Sequence, residues 1–116
     1  VPNMSDYCAT KWGVIGFAKS LAQEVARYAI RVNVVAPATV NTPMVHHDAI
    51  YRLFRPELAE PGADDMAALL QRRVSLLPEP WVEAADVANA ATWLATDDAR
   101  YLTGVVLPVD LGVSIR

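Results

Sequence analysis

The stretch IRVNVVAP, Ile30–Pro37, decides the fold. It is rich in β-branched residues, nearly all apolar, and ends at a proline. An apolar run without alternation reads as a strand buried on both faces, the kind found in parallel sheets. Upstream the period changes. Val14, Ala18, Leu21, Val25 and Tyr28 recur at helical spacing, with Ile15 and Ala22 beside them, which predicts a helix from Ser5 or Asp6 to about Arg27. Asp6 is the expected N-cap, where an acid also suits the positive helix end. Gly13 and Gly16 lie inside this helix, each at a cost of about 1 kcal/mol against alanine. The expected return is close approach of another backbone.

Downstream of the strand comes a loop, ATVNTPM (Ala38–Met44). Helical stretches are expected over 46–54 and 65–74, the second capped by Asp64 or Asp65, with the breaker-rich RPELAEPGAD between them. LLPEPWVEAAD is a proline-broken linker. A helix over Ala84–Ala95 follows, then a turn DDARYLTG that ends at Gly104, then a second buried strand, VVLPVD (Val105–Asp110). Helices alternating with buried strands predict an α/β layer structure. Two strands do not make a stable open sheet, so the expectation is that further βα units precede these 116 residues.

Composition narrows the function classes. The chain has the length of one small domain. Its hydrophobic fraction of 53% predicts a well-filled core or a large buried interface. A net charge of −3 with no basic run argues against nucleic-acid binding. Its single cysteine, Cys8, cannot form an internal disulfide, which fits a reducing compartment. No apolar run approaches the ~20 residues that span a membrane, and no signal-peptide pattern is seen. The expectation is a cytoplasmic globular chain.

Tyr7 and Lys11 stand four residues apart at the start of the first helix. Residues at that spacing share a helix face. A free phenol holds its proton up to a pH of roughly 10, and an ammonium beside it favours the phenolate. Such a pair is a workable general acid/base for interconverting an alcohol and a carbonyl. Alone, the pattern also fits a packed tyrosine beside a solvated lysine.

Context adds to this. YCATKWGVIGFAKSLAQEVARYAIRVNVVAPATVNTPM, followed by ADVANAATWLATDDARYLTGVVLPVDLG, resembles the short-chain dehydrogenase/reductase family across essentially the whole chain. The first segment looks like that family's active-site helix, sixth strand and nicotinamide loop, the second like its last helix and strand. The resemblance implies the C-terminal half of a Rossmann-type, doubly wound parallel sheet, with two strands and about four helices over residues 1–116. It implies a nicotinamide cofactor, NAD with NADP left open, that carries the hydride while the protein supplies position and proton transfer. Tyr7 would be the acid/base, and Lys11 would favour its phenolate and hydrogen-bond the nicotinamide ribose. Pro37, Ala38, Thr39 and Val40 would line the nicotinamide side, the Val40 backbone holding the carboxamide. Thr42 would contact the carboxamide or the pyrophosphate, with Met44 beside it. Where the family commonly has Pro-Gly, this chain has Pro37-Ala38, which adds a Cβ where the backbone would approach the cofactor.

LFRPEL, LPEPWVEAADVANA, DDARYLTG and LPVDLG look like the carveol-dehydrogenase-like branch, often described as mycofactocin-coupled. That branch implies NAD, a cyclic or terpenoid secondary alcohol, and homotetramers. Reductases of a 3-oxoacyl thioester or a steroid are the alternative within enzymes. A non-catalytic remnant or oligomerisation module, dimerising through the glycine-spaced helix, is the alternative outside them. Partners expected on this reading are a small alcohol or ketone, an N-terminal half, and further copies of the chain held through helix 6–28 and the C-terminal strand.

The remaining candidates divide. His46 and His47 are either solvated lid residues or, with Met44, Ile50, Leu53 and Phe54, a wall against an apolar substrate. Adjacent histidines point to different faces and no third ligand has suitable spacing, so no metal site is expected. Trp81 and Trp93 are expected in the core or a subunit contact, Cys8 packed and inert, and Asp97–Asp98 at a helix end or turn. The five glycines are scattered and make no glycine-rich phosphate turn. The substrate-polarising serine and the relay asparagine are expected before Val1, since Ser5 stands too close to Tyr7. The isolated chain is therefore expected neither to bind NAD tightly nor to turn over alcohol.

Overall fold

The computed structural model describes residues 4–116. Four helices form: α1 (Ser5–Val25), α2 (Asp48–Phe54), α3 (Ala63–Arg73) and α4 (Ala84–Ala95). Four short strands accompany them: β1 (Val34–Pro37), β2 (Val40–Asn41), β3 (Val82–Glu83) and β4 (Val106–Val109). β1 pairs with β4, and β2 with β3. The Val34 N–H donates to Val105 O and the Ala38 N–H to Val109 O. Both bonds advance four residues along each strand in the same sense, which is a parallel pairing. β2 and β3 are also parallel, with Val40 opposite Val82 and Asn41 opposite Glu83. The chain is thus α/β with parallel strands, as the alternating pattern predicted. The β2–β3 pair lies where a loop and a linker were expected.

Residues fall into two compact units. One takes in the N-terminal segment through Val35 together with Ala91–Leu107; the other takes in Ala36–Ala90 and Pro108–Arg116.

In the first unit α1 is longer in outline than its α-helical part. After Val25 a 3₁₀ turn covers Ala26–Tyr28, and Ala29 closes it with a left-handed backbone (φ 57°). Its buried face is small: Ala18 and Ala22 are buried, Ile15, Leu21 and Val25 half-buried. Val14 and Tyr28, expected on that face, are exposed, as are Trp12 and Phe17. Among the described residues nothing lies within 4 Å of a Cβ built on Gly13 or Gly16, so none of them makes the close backbone approach expected there. Asp6 sits inside the first turn; the N-cap is Met4, with no side-chain cap bond.

Residues Ile30–Asn33 were expected in the strand. Instead one backbone bond, from the Gly104 N–H to Val32 O (2.7 Å), is joined by side chains that carry the rest of the pairing. The Val32 N–H donates to Thr103 Oγ1 (3.1 Å), the Asn33 amide donates to Leu102 O (2.9 Å), and Asn33 Oδ1 accepts the Val105 N–H (3.1 Å). An amide side chain substituting for a backbone rung satisfies the same groups without extending the ladder. Arg31 reaches the C-terminal end of α4, donating to Leu94 O (2.6 Å), Thr96 O (3.4 Å) and Leu102 O (3.5 Å). A guanidinium there satisfies orphan carbonyls and suits the negative helix end. Leu94 and Ala99 complete the buried residues of this unit. Asp97–Ala99 form a 3₁₀ turn, in keeping with the turn expected at Asp97–Asp98, and Trp93 is exposed rather than in a core.

The second unit centres on α3. Met66 and Leu70 are fully buried, with Val82 and Ser75 nearby in burial. The N-cap of α3 is Gly62, not an aspartate. Asp65 acts from the first turn, its Oδ2 accepting the Gly62 N–H (3.0 Å) while Gly62 O accepts the Met66 N–H. At the other end, Arg116 donates to Arg72 O and Ser75 O. After β4, Asp110 accepts the N–H groups of Gly112 and Ser114. The strands expected to be buried on both faces are half-buried, with Pro37 and Pro108 exposed.

Two glycines use conformations that other residues rarely adopt. Gly104 has φ 72° and its added Cβ would stand 3.9 Å from the Ala22 Cβ; Gly112 has φ 81° and its Cβ would stand 2.8 Å from Leu76 Cδ1. Gly104→Ala is therefore expected to cost about 1 kcal/mol from backbone strain alone, and Gly112→Ala distinctly more because Leu76 must also shift. Chemical denaturation of the two variants checks the order; equal losses would contradict it.

Candidate functional site

Tyr7 and Lys11 lie in the first two turns of α1, in the first unit. The helix brings them together as the i, i+4 spacing requires. Lys11 Nζ stands 5.4 Å from the centroid of the Tyr7 ring, within cation–π range. Tyr7 is 51% exposed, so its phenol is open to a ligand. The local backbone is held by Cys8 N–H to Met4 O (2.9 Å) and by Thr10 Oγ1 to Tyr7 O (2.8 Å). Cys8 itself is half-buried. An exposed phenol beside an ammonium is the pair of groups that general acid/base chemistry on an alcohol calls for.

The other candidates lie in the second unit. Pro37 ends β1, and Ala38 continues the pairing through its N–H to Val109 O. Thr39 O accepts the Val82 N–H (2.9 Å), and Val40 lies opposite Val82 in β2–β3. The segment is thus fastened by backbone bonds rather than being a free loop. Thr42 turns it: Thr42 O accepts the N–H groups of Val45 and His46, while Thr42 Oγ1 donates to Val40 O (3.4 Å). Within this turn Met44 projects, 80% exposed.

His46 is neither solvated nor free. Its Nε2 lies 2.7 Å from Asn41 Oδ1 and its Nδ1 3.1 Å from Tyr51 Oη. Its ring meets Trp81 edge-on at 4.9 Å between centroids. Asn41 Nδ2 donates to Glu83 Oε1 (2.8 Å). His47 is exposed and serves as the N-cap of α2, its carbonyl accepting the N–H groups of Ile50 and Tyr51. Ile50 is half-buried and Phe54 is 38% exposed, both on α2. Asn41, Tyr51 and Glu83 escape sequence reasoning, while Trp81, expected in the core or a subunit contact, is half-buried against His46. Glu83 lies 42 residues from Asn41, and no spacing pattern links them.

Past α2, Arg55 donates to Asp65 O (2.8 Å) and to Glu57. Together with Phe54, Ala68, Leu69, Arg72 and Arg73 these side chains line an open cavity of about 480 Å³. Among the described residues, no group of three or more His, Cys, Asp or Glu side chains is placed to hold a metal ion. No helix among them is long and apolar enough to cross a membrane.

The family described as enoyl-(acyl carrier protein) reductase matches residues 1–114. The chain is 43% identical over 113 residues to the (−)-trans-carveol dehydrogenase of Rhodococcus erythropolis, covering 97% of this chain and 40% of that protein. It is 41% identical over 113 residues to a 3-oxoacyl-(acyl-carrier-protein) reductase of Haemophilus influenzae, with 97% and 40% covered. The crystal structure of carveol dehydrogenase from Mycobacterium avium in complex with NAD matches with a TM-score of 0.96 and 48% identity, over 100% of this chain and 42% of that one. The chain therefore spans about two fifths of the length of these relatives.

The Arg55–Glu57 pair generates a pH prediction. The hydrogen bond from Arg55, then that from its own backbone, holds the Glu57 carboxyl below its ordinary value of 4.5, against a smaller opposing effect of desolvation. A folded value below the unfolded one means the contribution to stability is complete above the unfolded value and is lost as pH falls through the folded one. In an NMR titration Glu57 should titrate below 4.5, and Arg55→Gln should bring it back toward that value. An unmoved titration in the variant would contradict the assignment.

Proposed function

The chain belongs to the short-chain dehydrogenase/reductase family, and on that premise we propose that it forms the proton-transfer and nicotinamide-side part of an oxidoreductase interconverting a secondary alcohol and a ketone. The observation that carries this is the Lys11 ammonium 5.4 Å from the centre of an exposed Tyr7 ring. In the oxidative direction, the Tyr7 phenolate takes the hydroxyl proton of the alcohol; in the reductive direction the phenol returns it to the carbonyl oxygen. Lys11 would place its charge beside the phenolate and would hold the cofactor ribose. The nicotinamide cofactor, when bound, would accept the hydride in the oxidative direction and, in its reduced form, supply it in the other.

Pro37, Ala38, Thr39, Val40, Thr42 and Met44 are the residues we assign to the nicotinamide side. Support for that assignment is the way backbone bonds at Ala38, Thr39 and Thr42 hold this segment in one conformation. The glycines at positions 13, 16, 62, 104 and 112 supply no phosphate turn.

The substrate we propose is a cyclic or terpenoid alcohol, flanked by His47, Ile50 and Phe54 with His46 behind them. The 43% identity to the carveol dehydrogenase supports this. The 41% identity to the 3-oxoacyl reductase supports a second reading, reduction of a carbonyl on a thioester. We further assign a cytoplasmic location and assembly into homo-oligomers through α1 and the C-terminal strand. The exposure of Trp12, Val14 and Phe17 on α1 supports the assembly.

In the intact protein, Tyr7→Phe should lower kcat by about 10²-fold or more, the range of a lost general acid/base, with NAD affinity nearly unchanged. Steady-state kinetics with carveol and NAD, together with calorimetric NAD binding, check both halves. Near-normal turnover by the Tyr7→Phe variant would remove Tyr7 from the chemistry.

A further inference from the structure

We propose that His46 is a positioning residue that ties the nicotinamide-side segment to helix α2, so that the two move as one piece. The hydrogen bonds have a single direction. Glu83 accepts from Asn41 Nδ2 (2.8 Å), which turns Asn41 Oδ1 toward His46. Asn41 Oδ1 can only accept, so His46 Nε2 carries the proton at that 2.7 Å contact. The other ring nitrogen, Nδ1, faces the Tyr51 hydroxyl at 3.1 Å, a group able to donate to it. Tautomer and amide orientation thus follow from the network. It runs Tyr51 to His46 to Asn41 to Glu83 and ends on a carboxylate.

Each member belongs to a different local element. Asn41 is in β2, Glu83 in β3, and Tyr51 in the middle of α2. His46 stands on the chain between β2 and α2, its own N–H bonded to Thr42 O. Trp81 closes the remaining side of the ring edge-on. Both ring nitrogens are occupied within the protein, so His46 is suited to hold the substrate-side helix in place and not to bond a substrate. α2 has only seven residues, too short to be stable by itself, so its placement has to come from such side-chain ties.

The functional consequence rests on the oxidoreductase reading above; the tie itself does not, and hydrogen exchange separates the two. In the intact protein, His46→Phe keeps the aromatic volume against Trp81 and removes both bonds. Amides of the turn (Val45, His46) and of α2 (Ile50, Tyr51, Arg55) should then exchange about ten-fold faster together, the size expected for lost hydrogen bonds. Tyr51→Phe should loosen the α2 amides alone. His46→Gln, which offers one donor and one acceptor, should recover part of the protection. Wild-type protection in the His46→Phe variant, or equal loosening of turn and helix in Tyr51→Phe, would overturn the tie, whether or not the protein turns over alcohol. In kinetics, His46→Phe should raise the KM for the alcohol about ten-fold with kcat largely kept, again the size of a lost hydrogen bond; a kcat loss matching Tyr7→Phe at unchanged KM would overturn the positioning role.

Discussion

Arg31 closes the C-terminal end of α4, and much of the first unit is ordered around that contact. Its guanidinium bridges Leu94 O, Thr96 O and Leu102 O, acceptors from the end of the helix and from the turn that follows it. A helix leaves its last carbonyls without partners, and a planar cation with several donors can serve more than one of them. Once Arg31 is so placed, Asn33 lies opposite residues 102 and 105 and bridges both. The parallel pairing of β1 with β4 begins immediately afterwards, at Val34 and Val105.

This explains where the sequence was legible and where it was not. The pattern of α4 could be read to the residue, Ala84–Ala95, because helical period and the proline-broken segment before it are local signals. IRVNVVAP was read as eight residues of strand, and only Val34–Pro37 form one. Arg31 and Asn33 are the two polar residues in that run, and both are spent on carbonyls elsewhere in the unit. β2 and β3 have two residues each, too few for any period to register. The caps went the same way. Met4 and Gly62 cap through backbone geometry, while Asp65 works from inside the helix.

The apolar content was expected to fill a core or an interface. The side chains buried in the first unit are mostly alanines with one leucine, while Trp12, Phe17 and Tyr101 are more than 60% exposed. In the second unit only Met66 and Leu70 are large and fully buried. Burial stabilises by about 25 cal/mol per Å² of apolar surface, so side chains this exposed contribute little to the fold. Two sheets of two strands each leave sheet faces half-open as well.

The candidate site divides along the same line between local and distant. Tyr7 and Lys11 were legible because one helical turn suffices to bring them together; their geometry is the consequence of four residues of sequence. His46 was legible as a residue but not as a role. Its role depends on Tyr51, five residues on, and on Asn41, whose orientation is set by Glu83 from across a parallel strand pair. A carboxylate that only accepts turns the amide, the amide oxygen takes the Nε2 proton of His46 in a hydrogen bond, and Nδ1 is left facing the Tyr51 hydroxyl. Each step is dictated by donor and acceptor inventory, so a change at Glu83 reaches α2 without touching it.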